Sequence, residues 1–95
     1  MATTLGLLHV EFQVPWARSL KDKRRALRSF RDRTRNKFNV SVAEVGMQDN
    51  PRHVVLAVAM VGSDHSYVES ALQKIVNTAA MDREMVLLDT EIEWV

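Results

Sequence analysis

The chain has three histidines, twelve carboxylates, thirteen Lys and Arg residues and no cysteine. His9, His53 and His65 lie far apart, and no HExxH or HxxxH pairing occurs. His9 and Glu11 are two residues apart in an alternating segment, so they share one face of a strand. Asp89, Glu91 and Glu93 share a face of another, which is expected to be its neighbour. Two readings follow for this group. One is a weak metal site or proton relay. The other, and the simpler, is a hydrogen-bonded polar patch at a subunit seam. His65 falls in the first turn of a helix and is expected to be exposed. Gly6, Gly46 and Gly62 are the only glycines, and neither a dinucleotide fingerprint nor a phosphate-binding loop can be built from them. No serine has a nucleophile-elbow context. Missing cysteine excludes disulfides, thiolate zinc sites and cysteine nucleophiles, and fits a reducing cytoplasm. No enzyme, cofactor or metal is expected.

The cations are different, because their spacing is regular. Ser19 to Phe38, SLKDKRRALRSFRDRTRNKF, holds nine of the thirteen Lys and Arg residues. On a helix, Lys21, Arg24, Arg28, Arg31 and Arg35 fall within about 80° of one another and span roughly 21 Å. Arg18 stands just ahead of them. A row rich in Arg suits forked, bidentate contacts with phosphate. Trp16, if exposed, offers a stacking surface for a base. Arg33 and Lys37 lie on the opposite flank and Arg25 on the back. The plainer reading is that Arg stems cover apolar surface while acids elsewhere neutralise the row.

Charge is also divided along the chain. Residues 1–48 carry ten Lys and Arg against four acids, net +6. Residues 49–95 carry three against eight, net −5. A basic half can meet an anionic partner, although two oppositely charged surfaces also serve solubility or self-association.

The elements that must position these groups can be read from periodicity. Leu5–Val14 alternates, with Leu8, Val10, Phe12 and Val14 on the apolar face, and Pro15 ends it. Ser19 and Asp22 form a helix-capping pair ahead of a buried stripe of Leu20, Leu27, Phe30, Thr34 and Phe38. Asn39 is expected to close that helix in a left-handed conformation. Val40–Val45 is a short strand, and GMQDNPR at 46–52 is a loop. His53–Gly62 is apolar on both faces, as befits a central strand. Ser63-Asp64 caps a second helix reaching Ala80, with Val68, Leu72, Ile75 and Ala79 inward. Met85–Val95 alternates again, with Val86, Leu88, Thr90, Ile92 and Trp94 facing one way and Met85, Leu87 and the acids the other.

The order β-α-β-β-α-β predicts a single α+β domain over residues 1–95. It is a ferredoxin-like fold, a four-stranded antiparallel sheet with two helices on one face, and the first and third strands are central. No apolar run approaches the roughly 20 residues of a membrane span. The open sheet face receives an apolar set from the third strand, which favours a homodimer through the sheet or along an edge. The aromatic signature of sheet-stacking RNA-recognition domains is absent from HVVLAVAMVG.

The segment PWARSLKDKRRALRSFRDRTRNKFNVSVAEV, followed by QD, an apolar strand and a Ser-Asp cap, resembles the YlxP-like family of small bacterial proteins. RSLKDKR at 18–24 and FNVSVAEV at 38–45 are its most specific parts. The resemblance implies a ferredoxin-like fold and a domain of unknown function. Its genes often neighbour those of initiation factor two and a ribosome-binding factor, which implies RNA or ribosome work. The family's basic segment maps onto Arg18, Lys21, Lys23, Arg24 and Arg25.

Two functional expectations result. The first is a cytoplasmic, non-enzymatic protein that meets RNA or a ribosomal particle through Arg18, Lys21, Arg24, Arg28, Arg31 and Arg35. The alternative is a self-associating or partner-binding module that uses the open sheet face.

Overall fold

The computed structural model describes residues 1–95. Six elements follow in order: β1 (Thr4–Gln13), α1 (Leu20–Lys37), β2 (Ser41–Gly46), β3 (His53–Gly62), α2 (His65–Ala80) and β4 (Val86–Trp94). They form one antiparallel sheet in the order β2-β3-β1-β4, which is the expected ferredoxin-like α+β fold. β1 and β3 are central, and β2 and β4 are the edges. No helix is long and apolar enough to cross a membrane.

β3 shows why a strand with two apolar faces belongs in the middle. Val54, Leu56, Val58 and Met60 are buried in the core, while Val55, Ala57 and Ala59 are half-buried on the opposite face. On β1, Leu8, Val10 and Phe12 face the helices, and Leu7, His9 and Glu11 alternate outward. The Phe12 ring meets Phe30 of α1 edge-on, with centroids 5.2 Å apart. Burying a ring of this size contributes about 1.5–3 kcal/mol.

α1 begins as its sequence predicts. Ser19 is extended, its hydroxyl accepts from the Asp22 N–H, and Asp22 accepts in return from the Arg18 N–H. Two orphan donors at the helix start are thereby satisfied. The far end differs from expectation. Asn39 has no left-handed backbone. Phe38 closes the helix in an extended conformation, and its N–H reaches the Thr34 carbonyl. The one non-glycine residue with positive φ is Met47, at 58°, in the β2–β3 loop.

β4 also differs. Its register on β1 shifts between Glu11 and Phe12, which pair with Asp89 and Leu87, so Leu88 is an extra residue. The shift turns Leu87 onto the core and leaves Val86 and Leu88 about half exposed. Met85 is buried. Simple alternation had assigned all four to the wrong sides, because one inserted residue inverts every side chain beyond it.

α2 lies close on the sheet. A Cβ at Gly6 of β1 would stand 2.7 Å from Leu72 and 3.1 Å from Val68. Glycine here is a packing requirement imposed by the helix overhead.

Candidate nucleic-acid interface

α1 presents the basic row as expected. Arg18, Lys21, Arg24, Arg28 and Arg35 are exposed, and Arg31 is partly covered. The question left by the sequence is whether acids neutralise them, and the ion pairs answer it. Asp22 lies 3.9 Å from Arg25. Asp82 lies 2.9 Å from Arg33, and its other oxygen accepts from the Glu84 and Met85 N–H groups. Glu44 is drawn to Lys23 at 3.2 Å. Asp32 reaches only Arg31, at 3.6 Å. Arg18, Lys21, Arg24, Arg28 and Arg35 have no carboxylate within 4.0 Å. Apart from Asp32 on Arg31, the acids of this region are spent on cations that lie off the row.

Lys23 is the residue whose role the sequence hides. It occurs within the basic segment, yet its side chain is fully buried. Its three ammonium protons go to the carbonyls of Met47, Gln48 and His53, at 3.0, 3.2 and 3.2 Å. Glu44 therefore receives its charge but no proton, which is why its Oε2 has no hydrogen-bond donor. Lys23 fastens the β2–β3 loop to α1 and is not available to a ligand. The position was legible on the helical wheel, since Lys23 falls about 300° round from Leu20, inside the buried stripe.

Arg25 is also engaged. Besides Asp22 it covers the Trp16 ring, its guanidinium carbon 5.4 Å from the centroid. Trp16 itself donates its indole N–H to the Glu84 carbonyl at 2.8 Å. The indole is thus a tie between the β1–α1 linker and the start of β4. Arg52 supports the same linker by donating its Nε–H to the Ala17 carbonyl at 3.0 Å.

Between the row and the β2 edge runs a groove of about 330 Å³. Arg24, Arg28 and Arg31 line it from α1, Val42 and Glu44 from β2, and the buried Leu27 lies between them. The contribution of β2 was not anticipated, because nothing in SVAEVG signals that its edge runs beside α1.

The acidic group forms a separate surface. In register, His9 faces Glu91, Glu11 faces Asp89 and Leu7 faces Glu93. The nearest carboxylate oxygen to His9 belongs to Glu93, at 3.8 Å from Nδ1. These side chains stand along the strands and do not converge as a set of metal ligands. His65 lies beside Trp94, with ring centroids 4.0 Å apart, and 3.7 Å from Glu69.

Comparison with known proteins agrees with this architecture. The model of a family described as "Protein of unknown function (DUF503)" matches residues 5–92. The "Uncharacterized protein YlxP" of Bacillus subtilis (strain 168) is 33% identical over 90 residues, covering 95% of this chain and 98% of that one. Two designed proteins share the fold. "De novo designed protein Foldit4" superposes with a TM-score of 0.52 at 15% identity, over 96% of each chain. "De novo designed protein Ferredog-Diesel" gives 0.54 at 12% identity, over 94% of this chain and 83% of that one. With a family model spanning nearly its whole length and a YlxP relative matched end to end, the chain belongs to the DUF503 family of proteins of unknown function.

Proposed function

We propose that this protein is a cytoplasmic, non-enzymatic factor that contacts RNA or a ribosomal particle through the exposed flank of α1. One observation carries the reading: Arg18, Lys21, Arg24, Arg28 and Arg35 stand in a row with no carboxylate within 4.0 Å. A row of unneutralised guanidinium groups gains free energy when phosphates displace water and counterions. The local acids are already committed to Lys23, Arg25 and Arg33. None of these five charges makes an ion pair that its reversal would break. Reversing Arg24, Arg28 and Arg35 to Glu tests the reading. Binding to ribosomal RNA fragments should be lost while the thermal transition stays within a few degrees of the parent. Unchanged RNA affinity in the triple variant would refute the assignment.

A second reading, a homodimer through the open sheet face, is favoured by Val55, Ala57, Ala59 and the exposed Val61 lying together there. The edges are poor alternatives. Pairing β2 with its own copy brings two Arg24–Arg31 rows together, and pairing β4 brings Asp89, Glu91 and Glu93 against themselves. Like charges at such a seam oppose association. Ala57→Glu should convert a dimer to a monomer by light scattering. A single 10.9 kDa species for the parent chain ends this reading.

A further inference from the structure

We infer that the α1 flank grips the backbone of double-helical RNA in preference to single strands. The inference rests on the RNA-contact reading above. Proteins that hold single strands combine cations with aromatic faces on which bases stack. The chain has six Phe, Tyr and Trp residues, and only Trp16 stands near the row with part of its ring exposed. Phe12 and Phe30 are fully buried against each other. Phe38 is half-buried on the core, with the Lys37 ammonium 5.9 Å from its centroid. Trp94 is stacked beside His65. Trp16, the nearest to the row, is 39% exposed, but its indole N–H is held by the Glu84 carbonyl and Arg25 lies over one face of its ring. Tyr67 is open, but it belongs to α2.

The sheet offers a strand no alternative. Its open face carries no Phe, Tyr or Trp from β1, β2 or β3, and of its two imidazoles His9 lies beside Glu93. Near β4 it carries Glu11, Asp89, Glu91 and Glu93, which repel phosphates. The open sheet face thus offers a nucleic acid far less than α1 does.

What α1 offers is a stiff row of charges. Lys21, Arg24, Arg28, Arg31 and Arg35 recur every three or four residues, about 4.5–6 Å apart along the axis. A duplex meets such a row with phosphates already in place and bases turned inward, so only the Arg and Lys side chains are ordered on binding. A single strand must be straightened to fit, and gains no stacking in return. The same feature makes the contact one of shape and charge with little sequence preference.

The test uses the full chain and one labelled RNA strand of about 20 nucleotides, alone or annealed to its complement, a length that holds a full shape-read contact. Fluorescence anisotropy gives both dissociation constants in the same salt. The duplex should bind at least tenfold tighter, a difference of about 1.4 kcal/mol, and the Arg24/Arg28/Arg35 reversal should abolish that binding. Equal or tighter binding of the single strand, lost in the triple variant, overturns the duplex preference and leaves the flank reading standing. Binding of neither RNA, or binding that survives the reversal, overturns both.

Discussion

The Lys23 ammonium and a Glu44 carboxylate oxygen lie 3.2 Å apart, beneath a loop whose carbonyls take all three of the lysine's protons. The pair joins α1 to the β2–β3 hairpin through a fully buried ammonium. Because the carbonyl partners come from residues 47, 48 and 53, the lysine also fixes the left-handed turn at Met47. Lys23→Met keeps the stem but leaves three carbonyls and a carboxylate without their cation. We expect a loss of about 2–4 kcal/mol, below the full cost of breaking a buried pair because Glu44 is partly reached by water. Urea denaturation measures it. Adding Glu44→Gln to Lys23→Met should recover part of the loss, and an additive double variant would show that the two residues are not coupled.

Trp16 gives a prediction that separates structure from recognition. Its indole N–H holds the Glu84 carbonyl, and Arg25 rests on its ring. Trp16→Leu removes both contacts and should cost about 1–2 kcal/mol. RNA affinity should change by less than about twofold, since stacking would contribute far more than that. A large loss of affinity at unchanged stability would return Trp16 to the binding surface.

These cases show where the sequence is informative. Element order, the capping pair Ser19–Asp22, the double-sided burial of β3 and the exposed row on α1 all follow from local rules, since each depends on neighbours a few residues away. The role of Lys23 was not legible, although its place on the buried side of the helix was. A buried ammonium needs acceptors, and its acceptors sit 24 to 30 residues downstream in a loop of unremarkable composition. The faces of β4 were misjudged because a single extra residue, Leu88, has no composition of its own to announce it. The groove beside β2 needed the sheet order before it could be seen at all.

Gly6 tests the closeness of α2. A methyl group there would stand 2.7 Å from Leu72 and 2.9 Å from the Trp94 ring. Leu72 is fully buried and has nowhere to withdraw. Gly6→Ala should destabilise by about 1–3 kcal/mol, the range for overpacking a filled core. Trp94 fluorescence should change in the folded state as its ring is displaced. A variant as stable as the parent would show that Leu72 and α2 can give way over β1 without cost.

The last prediction concerns salt. If the five unpaired cations each displace counterions from one phosphate, the logarithm of the binding constant should fall with the logarithm of salt at a slope of about −4 to −5 on duplex RNA, taking about −0.9 for each phosphate neutralised. Each single change of Arg24, Arg28 or Arg35 to Ala should reduce the slope by about one. Arg33→Ala should leave it unchanged, because that guanidinium is already paired with Asp82 at 2.9 Å on the opposite flank and neutralises no phosphate. Lys23→Met should likewise leave the slope alone in the folded protein, since its charge is buried. The contrast matters more than the slope itself. A loss of equal size at Arg24 and Arg33 would mean that net charge, and not the unpaired flank, attracts the nucleic acid.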